Sequence, residues 1–237
     1  MLYFSLATLL LGIAGAGYLL LEWIHHRRER RFALLWSVGL FLLFWFQIPA
    51  ILSHANQSFT LTDFNIFFSF AFPISFVGNL LIYAGILSVT RPSSPRRAIT
   101  FVVWAAVATI LFFFFFANQN TISSRAPTFI FIFLFFMPLH ILVLVELRRW
   151  WKSQELFTTR ACYLGIAVLM ASYALGIFQN VFVLDRSLRF PPEFWFLAVA
   201  DSSALFIMQS LGTLLLLVGF FFVHQSCCKI SHNRVKS

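Results

Sequence analysis

The polar side chains that lie inside long apolar stretches are the residues whose types and spacing could do chemistry. Asp201 is followed directly by Ser202, and Gln209 lies two helical turns further along the same helix face. An ionisable group at membrane depth costs roughly 2.5–3.5 kcal/mol on insertion scales, so it usually faces the interior of a bundle. The cluster predicts either a ligand or proton site or a hydrogen-bonded contact that holds two helices together.

His140 is a second titratable group inside an apolar stretch, and it follows Pro138 by two residues. Imidazole titrates near neutral pH, which suits a proton carrier. The alternative is a structural histidine whose ring is held by a neighbouring hydroxyl or carbonyl group.

Four neutral amides within the apolar stretches complete the candidate set. Amides in membrane helices hydrogen-bond to neighbouring helices, at about 0.6 kcal/mol each, and amides that line a cavity would also suit a polar ligand. The predicted ligand-binding residues are therefore Asp201, Gln209, Ser202, His140, Asn79, Gln179, Asn180 and Gln47.

Seven apolar segments must position these residues. The chain has 237 residues, of which 60% are hydrophobic and 11% are charged, whereas a soluble domain carries about a quarter charged residues. About 20 apolar residues in a helix cross a ~30 Å hydrocarbon core. The predicted spans are residues 2–23, 32–52, 64–89, 98–117, 128–145, 161–184 and 194–223. The sequence thus predicts an all-α bundle of seven transmembrane helices in one domain over residues 1–237, with no soluble domain.

The basic residues predict the orientation of this bundle. Fourteen of the 17 Lys and Arg residues follow the first, third, fifth or seventh span, and only Arg125, Arg186 and Arg189 lie on the opposite side. Cytoplasmic loops of membrane proteins are enriched in Lys and Arg. We therefore expect a plasma or inner membrane protein with its N-terminus outside and its C-terminus in the cytoplasm. The net charge of +9 is explained by this topology and by anionic lipid, so nucleic acid is not expected as a partner.

A weak internal repeat runs through the predicted spans. The first three and the last three spans have the same directions, with the fourth as a connector. Phe46-Gln47 near the outer end of the second span matches Phe178-Gln179 in the outer part of the sixth. Parallel repeats build some transporters. Chance similarity among apolar helices is the alternative.

The sequence lacks residues and motifs that several classes of membrane protein require. The chain resembles rhodopsins and the membrane input modules of sensor kinases in topology only, because its lysines (Lys152, Lys229 and Lys236) all lie outside the spans and cannot form a retinal Schiff base. A bis-histidine haem is not expected, since His54 and His140 lie at different depths. The sequence holds no HExxH and no GxSxG motif, so no catalytic site is predicted.

Metal binding is not predicted either. Glu22, His25 and His26 lie close together at the inner end of the first span, but a structural zinc site needs four ligands. The simpler interpretation is an interfacial ion pair beside the basic loop.

The leading functional prediction is a receptor- or sensor-like membrane protein without enzymatic activity. It would bind a small or lipid-like ligand within the bundle and signal to a separate cytoplasmic protein through the basic loop of Arg148 and Arg149. The alternative is a small proton-coupled secondary transporter that uses Asp201 and His140. A membrane-embedded enzyme acting on a lipid or isoprenoid, and an accessory subunit, follow these two.

Overall fold

The structure is a computed structural model, and it describes residues 2–25, 31–44, 48, 51–52, 61–90, 100, 103–105, 107–111, 132–153, 160–189 and 203–234. Most of these residues form six α-helices and one π-helical segment, short helical stretches are present at 103–105 and 107–111, and none of the described residues is in a strand. In chain order they are α1 (Leu2–His25), α2 (Arg31–Leu43), α3 (Leu61–Thr90), the π-helix Ile132–Phe136, α4 (Met137–Ser153), α5 (Arg160–Arg189) and α6 (Ser203–Arg234). Helices α4, α5 and α6 correspond to the fifth, sixth and seventh predicted spans.

The all-α prediction is confirmed for this part of the chain, but several helices extend beyond the predicted spans, α4 and α6 by the most. α4 continues to Ser153 and α6 to Arg234, well beyond residues 145 and 223. Charged residues end an apolar span without ending a helix, and neither extension contains a proline or glycine that would stop it. A hydropathy boundary therefore marks where the chain leaves the apolar region, not where the helix ends.

Three helical stretches are long and apolar enough to cross a membrane: Ser5–His25, Pro73–Thr90 and Cys162–Phe182. Two shorter apolar stretches, Phe32–Leu43 and Ser210–Val223, lie in α2 and α6. Large apolar side chains point outwards from α1, among them Leu10, Leu21 and Ile24. Such a surface is typical of a helix that faces lipid, so the structure supports a membrane protein.

The six α-helices form a closed ring in chain order. Each packs on the next from α1 to α6, and α6 packs on α1. All six contribute to one central apolar cluster, whose largest members are fully or almost fully buried. This cluster includes Leu19 of α1, Trp36 and Leu40 of α2, Ile82 and Ile86 of α3, Val143 and Leu147 of α4, Ile166 and Leu169 of α5, and Phe220 of α6.

Two neighbouring pairs in the ring are parallel. Thr8 of α1 shares a 2.9 Å hydrogen bond with Ser210 of α6, and further along both helices the rings of Tyr18 and Phe221 lie 6.0 Å apart. α1 and α6 therefore run in the same direction.

Helices α3 and α4 also run in the same direction. The ring of Phe76 lies 5.2 Å from that of Phe136, just before α4. At the other end, the Thr90 hydroxyl lies 3.4 Å from the Glu146 carboxylate. The chain must therefore return to the opposite end of the bundle between α3 and α4.

The other neighbouring pairs are antiparallel, and two of them bring backbone against backbone at glycines. A Cβ atom on Gly39 of α2 would lie 2.8 Å from the carbonyl oxygen of Gly78 in α3. A Cβ on Gly165 of α5 would lie 3.0 Å from the carbonyl oxygen of Gly219 in α6. Small residues allow membrane helices to approach this closely.

Candidate functional site

The site begins where α4 follows the π-helical segment. π-helical turns and prolines interrupt the regular hydrogen-bond ladder of a helix, and Pro138 in the first turn of α4 has no amide hydrogen to donate. Nδ1 of His140 lies 2.7 Å from the carbonyl oxygen of Phe136, within this irregular stretch. Because a carbonyl only accepts, Nδ1 carries a hydrogen and donates it to this carbonyl.

The His140 ring lies against α5. A Cβ atom on Gly176 would lie 2.8 Å from both Cδ2 and Nε2 of His140, so the contact depends on the absence of a side chain there. Tyr173, almost one turn earlier on α5, meets the imidazole edge-to-face, with ring centres 5.4 Å apart. We name His140, Tyr173 and Gly176 the His140–Tyr173 site.

The hydroxyl of Tyr173 is the chemically notable atom of this site. The residue is 3% exposed, and its hydroxyl is the only buried side-chain oxygen or nitrogen in the described part of the chain that lacks a hydrogen-bond partner. A buried polar group left without a partner costs about 1–3 kcal/mol. An acceptor atom brought to this hydroxyl would recover that cost.

The predicted amides lie in different places. Asn79 of α3 is buried, and its Nδ2 donates to the Ser75 carbonyl of its own helix at 3.3 Å, rather than to a neighbouring helix. Gln179 and Asn180 are half-buried on α5, about one turn beyond Gly176. Of the predicted residues, His140 is therefore the one whose cross-helix contacts define a site, and the two amides of α5 lie next along that helix.

The remaining predicted residues cannot be placed in this site. Gln47, Asp201 and Ser202 lie outside the described residues, and Gln209 lies on α6 with a side chain that is also outside them. Their ligand-binding role stays a prediction.

Glu146, one residue beyond the predicted fifth span, is a buried carboxylate that also joins two helices. The Glu146 side chain is 4% exposed, and its Oε2 lies 3.1 Å from Nη1 of Arg149, a side chain that is 58% exposed. Its Oε1 accepts the hydrogen bond from Thr90 at the end of α3. Glu146 therefore links α3 to α4 at the end of the bundle where the basic residues of α4 lie.

Sequence reasoning missed both Tyr173 and Glu146. Nothing in the apolar stretch around Tyr173 distinguishes it from an ordinary packing residue, because its significance comes from the neighbouring helix. Glu146 carried a signal, since it is the first charged residue after a long apolar run and precedes Arg149 by three positions, a spacing that allows an ion pair on a helix.

Metal ligands are not grouped in the described residues: no three His, Cys, Asp or Glu side chains come together there. Cys162 is a buried free thiol at the start of α5.

No protein-family model matches the chain, and no match is found among curated proteins or solved structures.

Proposed function

We propose that this chain is a receptor- or sensor-like membrane protein that binds a small or lipid-like ligand between α4 and α5 and signals to a separate cytoplasmic partner. The observation that carries the proposal is the buried, unpartnered hydroxyl of Tyr173 beside His140. The two rings are in contact, so a ligand that reached them would meet a residue with a phenol hydroxyl and a residue with an imidazole ring. A ligand with an acceptor atom and an adjacent donor would pair with both.

The proposal includes the predicted topology of seven alternating spans with the N-terminus outside. In an alternating bundle with the N-terminus outside, the first and seventh spans are parallel, and so are the third and fifth. The contacts of α1 with α6 and of α3 with α4 agree with both relations. With the basic loops in the cytoplasm, the ends of α3 and α4 that carry Thr90 and Glu146 face the cytoplasm of a plasma or inner membrane.

The route from the ligand site to the cytoplasmic end follows α4 itself. His140 and Glu146 are six residues apart on one continuous helix, a distance of about 9 Å along its axis. The π-helical segment and Pro138 interrupt the regular hydrogen bonding at the start of that helix. The tilt of α4 can therefore change at this point. A ligand that binds one tilt more tightly would shift the helix towards it, and the Thr90–Glu146 contact and the exposed Arg149 would move with it.

The first test is native mass spectrometry of the protein released from mild detergent, comparing wild type with Tyr173→Phe. We expect a stoichiometric small-molecule adduct on the wild type. The variant should bind it about two- to ten-fold more weakly, the range for one neutral hydrogen bond. Its melting temperature without the adduct should be unchanged or slightly raised, because the substitution removes an unsatisfied group.

Tyr163→Phe is the matched control for this test. Tyr163 lies on the same helix but packs on Trp151, with ring centres 5.1 Å apart, and should retain the adduct. Equal adduct occupancy in wild type and Tyr173→Phe would contradict the proposed site, as would a wild-type protein that carries no adduct from its native membrane.

The helix pattern favours a second candidate function, a small proton-coupled secondary transporter. Helices α1–α3 and α4–α6 repeat one arrangement: each helix packs on the next, and the last two meet at glycines. Two similar three-helix units that rock against each other would give alternating access. In that case Asp201 and His140 are the groups that carry the proton.

Proton flux separates the two candidates. In liposomes with an internal pH dye, a transporter should show substrate-driven proton movement that falls to background in Asp201→Asn, while the variant still elutes as a folded protein. Asp185→Asn, which changes a half-buried aspartate of α5, is the control and should keep the flux. Absence of proton movement with any of a broad panel of substrates would favour the receptor function.

A further inference from the structure

An open groove runs along the outer face of the bundle between α4 and α5. It has a volume of about 450 Å³ and is lined by Leu144, Val145 and Arg148 of α4 and by Met170, Ala171 and Ala174 of α5. Apart from Arg148, these lining side chains are apolar. The small side chains of Ala171 and Ala174 leave the groove open on the α5 side, and the larger side chains of α4 form its other wall. The lining surface is apolar throughout, including the part that Arg148 contributes, so the groove is an apolar trough with a cationic residue at its border.

Arg148 has an exposed side chain and takes part in no ion pair within the described part of the chain. The neighbouring Arg149, in contrast, pairs with Glu146, with Nη1 3.1 Å from Oε2. A positive charge beside an apolar trough complements a molecule with an anionic head and a long apolar tail.

We propose that the α4/α5 groove binds an anionic phospholipid, with one acyl chain in the trough and the phosphate paired with Arg148. In the proposed topology Arg148 lies near the cytoplasmic interface and the trough continues from it into the hydrocarbon region. Anionic lipids are enriched in the cytoplasmic leaflet, and basic pockets between helices on that side bind their head groups. Arginine also matches phosphate oxygens with two parallel N–H donors.

A phospholipid fits the groove better than a protein partner does. The trough opens sideways from the bundle along residues of the membrane-spanning part of α5, where lipid surrounds the protein. Its walls are aliphatic or thioether side chains, without the aromatic anchors that are typical of protein interfaces. The inference depends on the membrane placement of α4 and α5, and not on a ligand at the His140–Tyr173 site.

The test is titration of the delipidated full-length protein in detergent with phosphatidylglycerol or phosphatidylcholine of the same chain length, followed by native mass spectrometry. We expect at least one phosphatidylglycerol to bind about five-fold or more tightly than phosphatidylcholine, the factor expected from one basic residue near an anionic lipid surface. Arg148→Gln should remove this preference. Ala174→Leu, which fills the trough and leaves every charge in place, should weaken binding of both lipids.

Lys152→Gln is the matched control, because Lys152 is an exposed cation of the same helix that does not line the groove. It should bind phosphatidylglycerol as the wild type does. Equal binding of the two lipids, an unchanged preference in Arg148→Gln, or an effect of Lys152→Gln as large as that of Arg148→Gln would overturn the proposal. So would Ala174→Leu with wild-type affinity, since the acyl chain would then lie elsewhere.

The result is distinguishable from failure of the proposed receptor function. Tyr173→Phe should bind phosphatidylglycerol normally, and Arg148→Gln should retain the small-molecule adduct. Each variant therefore affects one of the two sites.

Discussion

Replacing Gly78 with leucine should strongly destabilise the helix bundle, whereas the same replacement at Gly17 should leave its stability almost unchanged. A Cβ atom on residue 78 would lie 2.6 Å from the carbonyl oxygen of Gly39 and from the amide nitrogen of Leu43. Both are backbone atoms of α2, so no side-chain rotation relieves the clash. α2 and α3 would have to separate, and we expect a loss of ~3 kcal/mol or more, the upper range for overpacked cores.

Gly17 is a matched control within the same bundle. A Cβ atom added there meets no described atom within 4 Å, so leucine at this position of α1 extends into open space. Melting in detergent, followed by size-exclusion chromatography, measures both variants. If Gly78→Leu melted at the temperature of Gly17→Leu, the α2–α3 backbone contact would not exist as described.

Trp36→Ala should cause the second large loss of stability. Trp36 is 0% exposed, its ring centre lies 5.0 Å from that of Phe32 and 4.5 Å from that of Phe220, and its Nε1 donates to the Ile82 carbonyl at 3.2 Å. In lipid little hydrophobic transfer energy is lost, but the cavity and the lost dispersion contacts remain. We therefore expect about 3 kcal/mol, the lower end of the range for Trp→Ala in cores.

Two further variants test whether the loss of stability in Trp36→Ala comes from the buried ring of Trp36. Trp36→Phe keeps a ring in the cluster and removes the hydrogen bond, so it should cost only about 1 kcal/mol. Trp151→Ala removes a partly exposed indole from the last turn of α4 and should change the melting temperature little. A loss in Trp151→Ala as large as that in Trp36→Ala would contradict a core centred on Trp36.

The helix class and the relative helix directions could be predicted from the sequence because a bilayer would impose both. Long apolar runs must be helical in lipid, and alternating basic loops predict alternating directions. The parallel contact of Thr8 with Ser210 agrees with that prediction. The seven-span count stays a prediction, because much of the fourth span lies outside the described residues, and the orientation stays a prediction as well.

The candidate site was much harder to predict from the sequence, for a physical reason. A soluble helix shows its inner face by where its apolar residues lie, but these helices are apolar on nearly every face. The sequence therefore singles out polar residues such as His140 without saying which helix each one meets. Tyr173 matters because α5 places it against His140, and that neighbour relation depends on the packing of α4 on α5 and not on spacing along the chain.

The closed ring has a consequence for biosynthesis. Helices enter the membrane in the order in which the ribosome makes them, and α6 is made after the other five. Until it arrives, Thr8 lacks its Ser210 partner, Trp36 lacks the Phe220 ring, and Gly165 faces no neighbour. A chain that stops before α6 would thus leave α1 and α5 without the helix that joins them in the ring, so the ring closes only when the last helix has been made.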